Sequence, residues 1–271
     1  MSLVNGDIHL RYSLSEGSGL PTVVFLHGFL GCRQDWDEVV DLLGDNYRFL
    51  RVDLPGHGSP FGDLPPEAYA MPGCARLIIN LLDKCEIETC HPVGYSMGGR
   101  LGLYLLTHHP DRFRSAVIES ATAGLRTESE RTARLLQEKQ WIIRLREQPY
   151  DEFLHDWYAQ PIFKMIDRSS ERFSRMMERR QQHDQSDLAL VIEQMGTGVM
   201  PSLWDKLPDI NVPVLFTAGE KDEKYCDLAE KMANLCPRGK TAIIAGAGHN
   251  THFERPEAFA EKVSQFLKQN V

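Results

Sequence analysis

Gly94-Tyr95-Ser96-Met97-Gly98, continued by Gly99-Arg100, lies between a short apolar run at 90–94 and a Leu-rich stretch with helical spacing at 97–108. G-x-S-x-G alone recurs by chance. Placed between a strand and a helix, it reads as a sharp corner that holds a serine strained, with its hydroxyl exposed. Small residues on both sides let the chain turn. The helix beyond offers free backbone N–H groups and the positive end of its dipole. The competing reading is a Gly-rich turn with an inert serine. The flanking strand and helix favour the catalytic one.

The same alternation extends in both directions. Thr22–Leu26 (TVVFL) is short, apolar and bounded by Pro21 and Gly28, as a buried strand would be. Strands are also expected at 48–53 and 114–120, and helices at 36–43 and 68–83. Pro92 is awkward in a central strand, because it cannot donate to the ladder. Strand–helix alternation predicts a parallel sheet with helices on both faces. From 121 to about 205 the strand signal vanishes. Leu135, Leu136, Trp141, Ile142 and Leu145 repeat with helical spacing, 153–163 is turn-rich and helical, and helices are expected at 173–180 and 188–195. Strands return at 213–218 and 241–245, before a last helix at 257–268. The expected architecture is α/β: a mostly parallel twisted sheet built from 1–120 and 206–271, with a helical cap, 121–205, inserted in it. Such a cap would lie over the sheet's C-terminal edge, where open α/β sheets bind ligands.

A serine hydroxyl becomes a useful base or nucleophile only when an imidazole takes its proton and a carboxylate fixes that imidazole's tautomer. In this architecture acid and histidine follow the serine, in that order, at later strand ends. The strand at 213–218 runs into Gly219-Glu220-Lys221-Asp222, which makes Asp222 the acid and Glu220 the weaker choice. The strand at 241–245 runs into Gly246-Ala247-Gly248-His249, which makes His249 the base. His252 is its nearby rival and reads as a packing or substrate contact. An oxyanion hole is expected from the backbone N–H of Met97 and that of Phe29, in the loop His27-Gly28-Phe29.

The 271 residues include 42% apolar and 25% charged side chains, the composition of a core-forming globular protein. With 30 Lys and Arg against 38 Asp and Glu, the formal charge of −8 argues against nucleic acid or an anionic membrane as partner. No run approaches the ~18–20 apolar residues that span a bilayer. The first seven residues lack a basic and apolar leader, so a cytoplasmic protein with reduced thiols is expected. Cys85-x4-Cys90-His91 fits no zinc spacing, and no metal or cofactor is expected. The charge is uneven. Residues 126–180 carry 12 Lys and Arg against 10 Asp and Glu, whereas the rest carries 18 against 28. A less acidic cap over an acidic body suits an anionic substrate. Arg100, one helical turn after Ser96, could reach the pocket, and its planar fork matches a carboxylate.

Through LHGF (26–29), DLPGHG (53–58), GYSMGGR (94–100), GEKD (219–222) and AGHN (247–250), the chain resembles the α/β-hydrolase-fold superfamily. Within it, ERTAR (130–134), DWYAQPIF (156–163), GTGVMPSLW (196–204) and Arg100 closely resemble the 2-succinyl-6-hydroxy-2,4-cyclohexadiene-1-carboxylate synthases of menaquinone biosynthesis, the MenH family. The resemblance implies a lyase that eliminates pyruvate from a tricarboxylate cyclohexene. Ser96, activated by His249 and Asp222, would then be a general base instead of an acylated nucleophile. Phe29 and Met97 would hold an enolate oxygen. The family's substrate-binding positions fall on Tyr95, Arg100, Arg134, Trp157 and Arg180, the last with Arg179 as an adjacent competitor. Cys32 departs from the small residue expected there. A monomer or weak homo-oligomer is expected, acting in menaquinone or phylloquinone synthesis. The rival readings are a serine hydrolase of esters or carbon–carbon bonds, with the same triad, and a non-catalytic binding protein of the same fold.

Overall fold

A computed structural model describes residues 10–58 and 64–270. The first seven residues, read above as lacking a leader, lie outside them. Among the described residues seven strands form one sheet: β1 (Tyr12–Leu14), β2 (Thr22–Leu26), β3 (Arg48–Val52), β4 (Cys90–Tyr95), β5 (Ala116–Glu119), β6 (Val214–Gly219) and β7 (Gly239–Ile244). Their order is β1-β3-β2-β4-β5-β6-β7, and only β1 runs antiparallel to its neighbour. Side chains alternate across a strand, so β2 feeds two cores. Val24 and Leu26 pack with the cluster around α2 (Met71–Lys84 in full; α1 is Asp37–Leu43) and α3 (Met97–His108). Val23 and Phe25 pack with Trp36, Val39, Phe259 and Val263 on the opposite face.

β4 keeps its proline. It pairs with β2 along 90–94, Pro92 lying opposite Val24. Towards β5 the ladder starts only at Val93, beyond an isolated bridge between Cys90 and Phe113. The side that lacks a donor therefore falls in a gap of the ladder.

Between β5 and β6 come four helices, α4 (Glu128–Glu147), α5 (Tyr150–Tyr158), α6 (Glu171–Arg180) and α7 (Gln185–Met195). Three of the four, α4, α6 and α7, are capped at their starts by side chains. The Thr127 hydroxyl accepts from the Glu130 N–H at 3.2 Å, and Glu130 accepts from the Thr127 N–H at 2.9 Å. Ser170 and Asp184 cap α6 and α7. These helices share their own hydrophobic cluster, built on Phe153, Leu154, Tyr158, Met176 and Leu188. Leu30, from the loop after β2, is part of that cluster. After β6 come α8 (Glu223–Leu235), α9 (Thr251–Glu254) and α10 (Pro256–Lys268). Among the described residues no helix is long and apolar enough to cross a membrane, and no group of three or more His, Cys, Asp or Glu is placed to hold a metal ion.

His27, His57, His91 and His183 are buried outside the Ser96 site, without a carboxylate on either ring nitrogen. Burial lowers the pKa of each, to about 4 for His91 and His183. Unfolded, each takes a proton below about pH 6.5. Folded, each resists it, so protons favour the unfolded chain and stability falls as pH drops from about 6.5 towards 4. For His91 and His183 the loss is on the order of 3 kcal/mol each over that window. Urea unfolding should show a midpoint that drops steadily between pH 7 and pH 4.5. A flat profile there would contradict the burial argument.

Candidate active site

β2 lies between β3 and β4, so the chain leaves it to one side and returns on the other. The loops after β2 and β4 diverge there and open a crevice. Leu26 pairs with Gly94, which brings both turns together. Ser96 occupies the corner with φ 49° and ψ −103°, in the left-handed region that a non-glycine residue avoids. Its N–H donates to the Glu119 carbonyl at 2.8 Å and its own carbonyl accepts from the Arg100 N–H at 2.9 Å. Two glycines make the corner possible by close approach. A Cβ on Gly98 would lie 2.1 Å from the Leu26 carbonyl oxygen, and one on Gly28 would lie 2.6 Å from the Tyr95 ring.

The structure brings together the three residues expected at the strand ends. Asp222 stands at the start of α8, and its carboxylate accepts from His249 Nδ1–H at 2.7 Å. A carboxylate can only accept, so Nδ1 carries the proton and the Nε2 lone pair faces Ser96 Oγ at 3.4 Å. The alternatives are engaged elsewhere. Glu220 is exposed, accepts from the Gly246 N–H at 2.9 Å and pairs with Lys221. His252 Nδ1–H donates to the buried Glu119 at 2.7 Å, and its ring stacks on Trp36 at 4.1 Å. Of its two readings, packing is the one the structure supports. Met97 is the first residue of α3, so its N–H has no partner within the helix. Phe29 lies opposite, in the loop after β2.

Ser96, His249, Phe29 and Met97 all line one cavity of about 130 Å³. Helices α4, α5 and α7 close it with Trp141, Trp157 and Ile192. Trp157 packs on Phe29 at 4.9 Å and on Trp141 at 5.0 Å. Tyr95 also lines the cavity, and burial pushes its phenol well above the usual range.

Arg100 and Arg134 face the same space. Arg100 is only 8% exposed, yet among the described residues it has no carboxylate partner. Its Nη1 donates to the Met195 carbonyl at 2.8 Å. Burial, reinforced by nearby Arg134 and opposed by Glu138, lowers its pKa to about 10. Arg134 Nε donates to Glu138 at 2.7 Å, and Glu138 also accepts from the N–H groups of Thr197 at 2.7 Å and Gly198 at 3.0 Å. Glu138 thus aims Arg134 and ties down the turn at 196–198. Sequence reasoning missed it, because an acid four residues after an Arg on a helix reads as a solvated surface pair. It also missed Tyr225, whose ring meets His249 edge-on at 4.6 Å and lines the cavity. No motif signals that position.

Arg180, the remaining residue expected from family resemblance, does not line this cavity. It is buried in a two-pronged pair with Asp35, at 3.0 and 2.6 Å, and its Nε donates to the Tyr158 hydroxyl at 3.0 Å. Burial opposes the charge of Arg180, but Asp35 and Tyr158 outweigh it and raise its pKa well above normal. Burial likewise opposes the charge of Asp35, and Arg180 and then Arg179 overcome it. Arg179, the competing residue, donates to the same carboxylate at 3.2 Å. Both arginines fasten α6 to the body of the protein.

An α/β hydrolase family model matches residues 23–262. A 2-succinyl-6-hydroxy-2,4-cyclohexadiene-1-carboxylate synthase from Yersinia pseudotuberculosis is 35% identical over 253 residues, which is 92% of this chain and 88% of that one. The solved structure of MenH from S. aureus superposes with a TM-score of 0.88 at 31% identity, covering 96% of this chain and 98% of that one. The enol-lactonase from Burkholderia xenovorans LB400, at 21% identity and a TM-score of 0.76, shares the fold alone. Identity above 30% across nearly the whole length places this chain in the 2-succinyl-6-hydroxy-2,4-cyclohexadiene-1-carboxylate synthase family of the α/β hydrolases.

Proposed function

We infer that the chain is a lyase that eliminates pyruvate from 2-succinyl-5-enolpyruvyl-6-hydroxy-3-cyclohexene-1-carboxylate to give 2-succinyl-6-hydroxy-2,4-cyclohexadiene-1-carboxylate, in menaquinone or phylloquinone biosynthesis. The observation that carries this reading is Arg100, a buried cation with no carboxylate partner among the described residues, beside Arg134 in the cavity that holds Ser96 and His249. A buried charge is costly until it is paired. Here the missing anions are carboxylates of the substrate, which has three.

Ser96 gives its proton to His249 Nε2 and takes one from the ring carbon that bears the succinyl group. Asp222 stabilises the imidazolium. The C–H electrons move into the succinyl ketone as an enolate, whose oxygen accepts from the N–H groups of Phe29 and Met97. As the enolate collapses, the ring double bond shifts and the C–O bond to the enolpyruvyl group breaks. Enolpyruvate leaves and takes up a proton to become pyruvate. One C–H and one C–O bond break, and no water is consumed. Arg100 and Arg134 hold carboxylates, while Tyr95 and Trp157 pack against the ring. The ligand is a small tricarboxylate, and the reaction suits the cytoplasm.

The test supplies the purified enzyme with the enolpyruvyl precursor and follows pyruvate with a coupled dehydrogenase. Pyruvate and the conjugated diene should appear in equal amounts, with aryl acetates turned over far more slowly. Fast aryl-ester turnover through an acylated Ser96, with no pyruvate released, would replace the lyase with a serine hydrolase.

A further inference from the structure

Leu30 follows the oxyanion donor Phe29 and is held in a conformation that leucine avoids, with φ 63°. Three contacts fix it. Its side chain is fully buried in the hydrophobic cluster of helices α4–α7, which form the lid of the cavity. Its N–H donates to His57 Nε2 at 3.1 Å. Its carbonyl accepts from His183 Nε2–H at 2.9 Å.

The partners settle both tautomers. A backbone N–H only donates and a carbonyl only accepts. Gly58 N–H donates to His183 Nδ1 at 2.8 Å, so that nitrogen is bare and Nε2 carries the proton. His57 Nδ1–H donates to the Pro55 carbonyl at 3.0 Å, which leaves its Nε2 bare for Leu30. Both rings are buried, and the depressed pKa of each keeps it neutral at neutral pH. His183 follows α6 in the lid segment, whereas His57 follows β3 in the body. The lid and the body therefore grip opposite ends of one strained residue beside the oxyanion hole.

We propose that His183 is a positioning residue for the oxyanion hole, its Nε2–H holding the Leu30 carbonyl and thereby the Phe29 N–H at the enolate oxygen. Strained backbone persists only where its surroundings over-determine it. Without the His183 bond, Leu30 relaxes towards an ordinary conformation, and the chain before it, up to the Gly28–Phe29 peptide that carries the Phe29 N–H, shifts with it. The inference rests on the oxyanion role given to Phe29 above.

Two variants separate this role from simple packing. His183→Gln can still donate from its amide to Leu30 but leaves the Gly58 N–H without an acceptor. His183→Asn can accept from Gly58 but cannot reach Leu30. Both lose an aromatic ring, so both should lower Tm by similar amounts. His183→Asn should lower kcat for pyruvate release about tenfold or more, part of the ~10²–10³ that a lost oxyanion donor costs, with KM little changed. His183→Gln should recover most of that loss. Equal kcat in the two variants, or an effect confined to KM, would overturn the proposal. Amide exchange of Leu30 and Gly31 gives a readout that needs no substrate, and it should be faster in His183→Asn than in His183→Gln. Identical exchange in both would overturn the clamp whatever the activity. Wild-type enzyme that released no pyruvate would instead refute the functional reading.

Discussion

Alanine in place of Ser96 lowers kcat for pyruvate release by about 10²–10⁴-fold, the share that a positioned general base contributes. The substitution removes one oxygen at a corner set by the backbone bonds of Ser96 to Glu119 and Arg100, so the fold should survive. KM should change little, because the carboxylates and the ring are held by other side chains. Steady-state kinetics with circular dichroism on the same samples checks both points. A kcat within a few-fold of wild type, in a folded variant, would remove Ser96 from the chemistry. In the lyase account no acyl-enzyme forms, so intact-mass measurement during wild-type turnover should find only the unmodified chain.

Arg100→Met should separate activity from stability. Losing a charge-assisted contact to a carboxylate costs about 1.5–3 kcal/mol, so kcat/KM should fall by roughly 10–150-fold. The free enzyme should behave in the opposite way. Its Arg100 is buried, its cation is opposed by burial and by Arg134, and its one short protein contact to oxygen is the Met195 carbonyl. Removing an unpaired buried charge relieves a cost, so Tm should hold or rise, as is common where sites are built for ligands at the expense of stability. Thermal melts beside kinetics decide it. A clear drop in Tm with kcat/KM unchanged would make Arg100 a structural residue and sink the carboxylate assignment.

The corner at Ser96 and the placements of Asp222 and His249 were legible because each follows an apolar strand directly, and backbone direction carries the side chain to the crevice. The helical region was legible from its lost strand signal. β1 was not, since three half-exposed residues have no periodicity to read. The fate of Arg180 depends on Asp35, 145 residues earlier, and spacing along the chain says nothing about so distant a neighbour. Glu138 and Tyr225 were invisible for a related reason. Which face of α4 or α8 turns to the cavity is set by packing, and either residue would pass for an ordinary surface position. His27 and His57 were readable as members of turn motifs, but their role as neutral hydrogen-bonding hubs needed coordinates.

Leu30 belongs by sequence to the sheet and by packing to the lid. The lid is therefore not an interchangeable module. Excising α4–α7 would strip Leu30 of its neighbours and uncover the loop that carries Phe29, so the remnant would not be a minimal enzyme awaiting a new cover. Transplanting another lid onto this sheet would require a matching socket for Leu30. Substrate range in such a scaffold is set by changes on both sides of that joint together.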